Sequence, residues 1–193
     1  MNSSVARRER GVDARQSGRE ALRYLGEDGK ESDMSIDIPQ ALRIEHEELH
    51  HFLVRAESES GELAEAARLV ARLLEPHVRK EEAFALPPLG LLRALARGDA
   101  EPGMAEVFAY TDWLKAHLKD MVAEHHAITA ALERLLAAAR AAERPEYIEF
   151  AEKLLNHARL EEEVLYPAAI LVGEFLRMKL PRMRAAELRM GGR

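Results

Sequence analysis

Apolar positions recur along most of the chain at helical spacing and divide it into four long segments. In the first, Leu42, His46, Leu49, Leu53 and Ala56 follow one another at intervals of 4, 3, 4 and 3, which draws one stripe down a helix. That helix is expected to open near Asp37 as its cap, with Pro39 in the first turn, and to run to about Ser58. A second follows Ser58-Glu59-Ser60-Gly61, with Leu63, Ala66, Ala67, Val70, Leu73 and Leu74 inward and His77, Glu81 and Phe84 continuing that face. Pro76 lies inside it; the lost backbone hydrogen bond predicts a kink immediately before His77, and Pro87-Pro88 an end or second bend.

The third stripe comprises Leu114, Leu118, Met121, Val122, His125, Ile128, Leu132, Leu135 and Leu136, ending near Ala142. Pro145 marks the first turn of the fourth, whose inward positions are Ile148, Ala151, Leu154 or Leu155, His157, Glu161, Val164 and Ala168, with a bend at Pro167. Only the crossing from the second to the third is long. It reads as a short helix to Ala96, a turn at Arg97-Gly98-Asp99 and a restart at Pro102, and its Phe108, Tyr110 and Trp113 as the side chains that pack it down. The expectation is an all-α protein, an up-down-up-down four-helix bundle with an extra helical segment between the second and third helices.

The flanks are different in character. Residues 1–36 are polar, carry charges of both signs and include Gly11, Gly18, Gly26 and Gly29, so disorder is expected there apart from a short helix near Arg19 to Leu25. Met34 stands just ahead of the bundle, and residues 1–33 are read as an extension of the reading frame. The bundle domain is assigned to residues 37–180. Residues 181–193, with Arg182, Arg184, Arg189 and Arg193, form a basic, frayed tail.

Composition narrows the chemistry. A formal net charge of −6 argues against a nucleic-acid-binding protein. The chain has no cysteine, which excludes disulfides, thiolate metal sites, iron–sulfur clusters and cysteine nucleophiles. No apolar run approaches the ~20 residues that cross a bilayer, and Arg7-Arg8 is followed by charged residues with no apolar stretch. A cytoplasmic protein without membrane contact is expected.

Against this background one repeat stands out. His77 and His157, Glu81 and Glu161, Glu82 and Glu162, and Pro87 and Pro167 are each separated by 80 residues. On a helix, His at i and Glu at i+4 share a face, so each copy can offer an imidazole nitrogen and a carboxylate to one point. Each copy follows a helix with a histidine in its apolar row: His46 precedes His77 by 31 residues and His125 precedes His157 by 32. The expected site therefore contains His46, His77, Glu81, His125, His157 and Glu161. Each half would supply the two histidines of one ion, and Glu81 and Glu161 would bridge both. Nitrogen and oxygen donors without sulfur suit two iron ions, with manganese or zinc as alternatives.

Register separates the remaining candidates. His126 lies 80 residues after His46, but His125 stands seven after Leu118 and seven before Leu132, in the apolar row, and is preferred. His50 is either an extra ligand, an outer partner of His46 or a partly exposed side chain, and His51 and His117 read as surface residues. Tyr166 lies five residues past Glu161, about 140° around an ideal helix, and is assigned to packing near the bend. Glu82 and Glu162 either face away or hydrogen-bond ligand histidines.

Over residues 37 to about 178 the chain resembles the hemerythrin-like, or HHE cation-binding, family. The marks are Glu45-His46 with Leu49, His77-x-x-x-Glu81-Glu82, Glu124-His125 with Ile128, and His157-x-x-x-Glu161-Glu162 leading to Tyr166-Pro167. The resemblance implies a non-haem di-iron centre in an antiparallel bundle that meets dioxygen or related oxidants. Oxygen-carrying members have a second histidine where this chain has Thr129, and an aspartate at the spacing of Glu162. The chain is thus similar to the four-histidine, two-glutamate branch, which implies binding or sensing of oxygen, peroxide, nitric oxide or iron. The alternatives are a di-iron enzyme turning over peroxide or nitric oxide, and a metal-free helical interaction module.

Overall fold

The computed structural model describes residues 36–190, with side chains described as far as Ala185. The expected disorder of residues 1–36 and the short helix near Arg19 to Leu25 thus lie, apart from Ile36, outside the described residues. Among the described residues the chain is helical and contains no strand. The order is α1 (Gln40–Glu57), α2 (Gly61–Lys80), a π turn (Glu81–Ala85), a 3-10 turn (Pro87–Leu91), α3 (Leu92–Ala96), a second 3-10 turn (Pro102–Glu106), α4 (Val107–Ala141), α5 (Pro145–Leu160), a second π turn (Glu161–Leu165) and α6 (Tyr166–Met190).

The apolar stripes become the buried faces. α1 buries His46, Leu49, Leu53 and Ala56, and α2 buries Leu63, Ala66, Ala67, Val70, Leu74 and His77. Helix α1 packs against α2 and α5, and α4 packs against α2, α5 and α6. Two of the three apolar clusters among the described residues flank the centre of the bundle. One joins Leu49, Leu53, Val70, Leu74, Ile128, Leu132, Leu135, Phe150 and Leu154; the other joins Ile38, Leu86, Leu89, Leu114, Met121, Tyr166 and Ala169. The buried polar residues His46, His77, Glu81, His125, His157 and Glu161 fall between these two groups along each helix.

Several boundaries differ from expectation. Pro39, and not Asp37, occupies the N-cap of α1, without a side-chain cap. Helix α4 starts at Val107, well before Leu114, so Phe108, Tyr110 and Trp113 belong to its first turns. There Trp113 stacks on Phe84 at 4.6 Å and on His117 at 4.3 Å, and Phe108 lies under the Arg177 guanidinium at 4.4 Å. Helix α6 continues through Pro181 to Met190, where a frayed tail is expected from the sequence.

The structure also locates the irregular turns near the prolines. Helix α2 is continuous through Pro76, and the departure from α-helical hydrogen bonding comes at Glu81, whose carbonyl accepts from Leu86 N–H five residues on. The carbonyl of Glu161 likewise accepts from Tyr166 N–H. Each π turn is followed by its repeated proline, Pro87 or Pro167. A proline there supplies no N–H and crowds the carbonyl four residues back, which a widened turn relieves.

Two glycines permit close backbone approach. A Cβ on Gly173 would lie 2.4 Å from Thr111 Oγ1, and one on Gly90 2.1 Å from the Asp37 carbonyl oxygen. The first lets α6 cross α4; the second seats the strand of chain before α1 on the 3-10 turn. At the end of the molecule joining α1 to α2 and α4 to α5, Arg144 donates two hydrogen bonds of 2.6 Å to Glu59, and Tyr147 O–H donates a third at 2.8 Å.

Candidate metal centre

All six residues singled out by the repeat converge. They form two groups, His46, Glu81, His157 and Glu161, and His77, Glu81, His125 and Glu161, each with one donor atom per residue and all donors within 4.8 Å of one another. Every member is buried, none more than 4 % exposed. Glu81 and Glu161 belong to both groups. His126 is exposed, which resolves the register of α4 in favour of His125. His50, His51 and His117 are in neither group, and His50 and His51 are exposed.

The histidine pairing is corrected by the structure. The sequence reading takes both histidines of an ion from one half of the duplication, whereas here His46 faces His157, with ring centroids 5.2 Å apart. His77 faces His125, with Nε2 atoms 2.7 Å apart. The pairs therefore cross the halves, α1 meeting α5 and α2 meeting α4 through these imidazoles.

The donor spacings fit a metal ion. Two donors about 2.1 Å from a common ion stand about 3.0 Å apart at a right angle and about 3.8 Å apart at a wider one. In the first group His46 Nε2 lies 3.8 Å from Glu81 Oε2 and 3.8 Å from Glu161 Oε1, and His157 Nε2 lies 3.0 Å from Glu161 Oε1. In the second, His77 Nε2 is 3.1 Å from Glu81 Oε1 and His125 Nε2 is 3.3 Å from Glu161 Oε2.

Outer glutamates fix the imidazoles. Nδ1 of His46 is 2.9 Å from Glu82 Oε1, Nδ1 of His77 is 2.8 Å from Glu124 Oε2 and Nδ1 of His125 is 2.8 Å from Glu162 Oε1. Glu45 stands 3.4 Å from His157 Nδ1, off the hydrogen-bonding angle. A proton held on Nδ1 turns the Nε2 lone pair inward, the arrangement that metal-binding histidines require. Glu82 and Glu162 thus take the hydrogen-bonding alternative left open by the sequence. Glu45 and Glu124, each preceding a histidine of the cluster, extend the pattern; Lys80 donates to Glu124 in turn.

Five buried atoms of the cluster have no hydrogen-bond partner among the described residues: His46 Nε2, Glu81 Oε2, His157 Nδ1, His157 Nε2 and Glu161 Oε1. His157 Nε2 and Glu161 Oε1 are close enough to bond, but their angle is poor. Buried polar atoms left in this way cost about 1–3 kcal/mol each, so their concentration at one point calls for a ligand.

The electrostatics agree. Burial pushes His46 down, yet Glu161, Glu82 and Glu81 outweigh it and lift the imidazole to about 10. For His125 burial acts the same way, and Glu161 and Glu81 lift it to about 10; His157 is also raised, against burial, chiefly by Glu161. Burial and Glu161 raise the Glu81 carboxyl, but His125 and His77 bring it below its ordinary range. Glu161 lies well below, as His125, His157 and His46 outweigh its burial. The cluster attracts positive charge, which protons or a cation can supply.

Tyr166, assigned from the sequence to packing near the bend, packs there and also reaches the cluster. Tyr166 is fully buried, its O–H donates to Glu81 Oε1, and it lies 3.4 Å from His125 Nε2. The π turn adds one residue to the helical repeat, which carries Tyr166 inward and leaves Val164 50 % exposed, the reverse of the ideal-helix expectation. Burial, Glu81 and Glu161 push the phenol well above its ordinary range, so it keeps its proton.

No protein-family model, curated protein or solved structure matches the chain. Among the described residues no helix is long and apolar enough to cross a membrane.

Proposed function

We propose that the chain is a hemerythrin-like protein whose His46, His77, Glu81, His125, His157 and Glu161 hold two iron ions bridged by the two glutamates, and that it binds or senses a small oxidant or diatomic molecule. The observation carrying this reading is the buried cluster, four of whose inward donor atoms lack partners. An up-down-up-down arrangement is supported by the order of the two apolar clusters along the helices. α1 and α4 run from the Leu114–Tyr166 cluster to the Leu49–Leu154 cluster, and α2 and α5, through their π turns, run back.

When bound, iron supplies open coordination positions at which a small oxidant can bind and be reduced. The protein's part is to exclude water with the flanking apolar clusters, orient the imidazoles through Glu82, Glu124 and Glu162, and hold a proton on Tyr166. Tyr166 is also the specific observation favouring the second reading, turnover of peroxide or nitric oxide, because its O–H is a hydrogen-bond donor inside the cluster, placed to stabilise a bound oxidant. Multiple turnovers with peroxide that fall in Tyr166→Phe, at unchanged metal content, would establish the enzyme. Stoichiometric oxidation alone would leave a sensor or store.

The proposal is tested by loading the protein with ferrous iron without oxygen, removing free metal, counting ions and recording spectra before and after air. One ion per donor group, two per chain, with an optical change on exposure to air, is expected. Fewer than about one per chain contradicts the proposal.

A further inference from the structure

The two halves of the duplication share ligands but not surroundings. A groove of about 400 Å³ lies between α1 and α2, and its lining includes the ligand His46. Leu49, Leu53, Leu74 and Val78 form apolar walls. At the rim stand Glu47, Glu57, Glu75 and Glu82 with His50 and His51. One guanidinium, Arg79, shares the rim and pairs with Glu75 at 2.8 Å. Carried over by the ligand offsets of 79 and 80 residues, Glu47, His50, His51, Glu57 and Glu75 correspond to His126, Thr129, Ala130, Leu136 and Leu155. Of the rim carboxylates only Glu82 keeps an acidic counterpart, Glu162, and His126 is the one imidazole among the counterparts, so most of the acidic and imidazole rim belongs to one half.

The donor group that includes His46 is also the one whose inward atoms are unengaged. His46 Nε2, Glu81 Oε2, His157 Nε2 and Glu161 Oε1 all lack hydrogen-bond partners. In the other group His77 and His125 engage each other at 2.7 Å and Tyr166 occupies Glu81 Oε1. A cation entering that second position must first break these contacts between its donor atoms; beside His46 the hydrogen bond present is that of Nδ1 with Glu82, which a cation at Nε2 leaves intact.

We propose that the groove between α1 and α2 is the route by which a hydrated divalent cation reaches the centre, and that the His46–His157 position fills first. This rests on the metal-centre reading. Rim carboxylates raise the local cation concentration. His50, one helical turn from His46, provides an intermediate donor. The groove has room for an ion with part of its shell, at about 30 Å³ per water.

The test is stopped-flow uptake of cobalt(II), read by its visible absorption, in the full chain. The quadruple variant Glu47→Gln, His50→Ala, His51→Ala, Glu57→Gln alters exposed or half-buried side chains outside the donor groups and should fold normally. Val54→Trp, at a 49 % exposed residue of the groove, obstructs it instead. Both should slow uptake about tenfold or more, with the final two ions per chain unchanged. The fast phase should survive in His77→Ala/His125→Ala and vanish in His46→Ala/His157→Ala. Uptake within about twofold of the unaltered chain in the quadruple variant, at full final stoichiometry, overturns the route while leaving the metal centre intact. A fast phase lost with His77 and His125 overturns the order. Failure of the unaltered chain to take up cobalt removes the underlying reading.

Discussion

Nε2 of His77 and Nε2 of His125 stand 2.7 Å apart, although the two residues come from opposite halves of the duplicated sequence. The same crossing pairs His46 with His157. If each pair serves one ion, His46→Ala/His157→Ala and His77→Ala/His125→Ala should each retain about half the metal. His46→Ala/His77→Ala should damage both positions. Metal content of the three purified variants decides this; equal retention in all three would contradict the crossed pairing.

Metal removal should create a pH dependence. His46 and His125 are raised to about 10 in the folded protein, above an unfolded value of about 6.5. Their contribution to stability is complete below about 6.5 and disappears as pH rises towards 10. Glu81 and Glu161 are lowered, so their contribution is present above about 4.5 and fades as pH falls through their folded values. The chelated protein should therefore melt highest near pH 5–6.5 and progressively lower towards pH 10. Metal-loaded protein, whose imidazoles are held neutral by coordination, should lose this alkaline decline and release protons on loading. A flat melting temperature from pH 6 to 10 in the chelated protein would contradict the assigned charge states.

Gly173→Ala should be destabilising by about 1–3 kcal/mol, since the added methyl meets Thr111 Oγ1, Cγ2 and Cβ, all within 2.9 Å. Thr111→Ala in the same chain should recover part of the loss. Urea titration of the single and double variants measures the coupling. Additive effects would mean that α4 and α6 are not in close contact there.

Much of the site is legible in the sequence because its donors obey simple helical spacing. His77 and Glu81, four residues apart, do meet at 3.1 Å, and the heptad position of His125 separates it from exposed His126. Tyr166 and the crossed pairing are not legible in that way. The first depends on the π turn at Glu161, which shifts every later residue relative to an ideal helix. The only signal for it is the proline repeated six residues after each glutamate. The second depends on which helices become neighbours, and the stripes of α1, α2, α4 and α5 specify a buried face without naming the helix that covers it. The continuous α4 was likewise hidden by aromatic residues, whose packing on Phe84 and under Arg177 is a tertiary fact.

The central claim, two ions joined by Glu81 and Glu161, is tested most directly by the iron content of Glu81→Gln and Glu161→Gln beside that of His46→Ala, each loaded without oxygen. Gln preserves size and removes the charge that attracts cations. Since both glutamates belong to both donor groups while His46 belongs to one, either glutamine variant should lose most of both ions, and His46→Ala should keep about one. Equal metal content in the three variants, or iron unchanged from the unaltered chain in the glutamine variants, would contradict it.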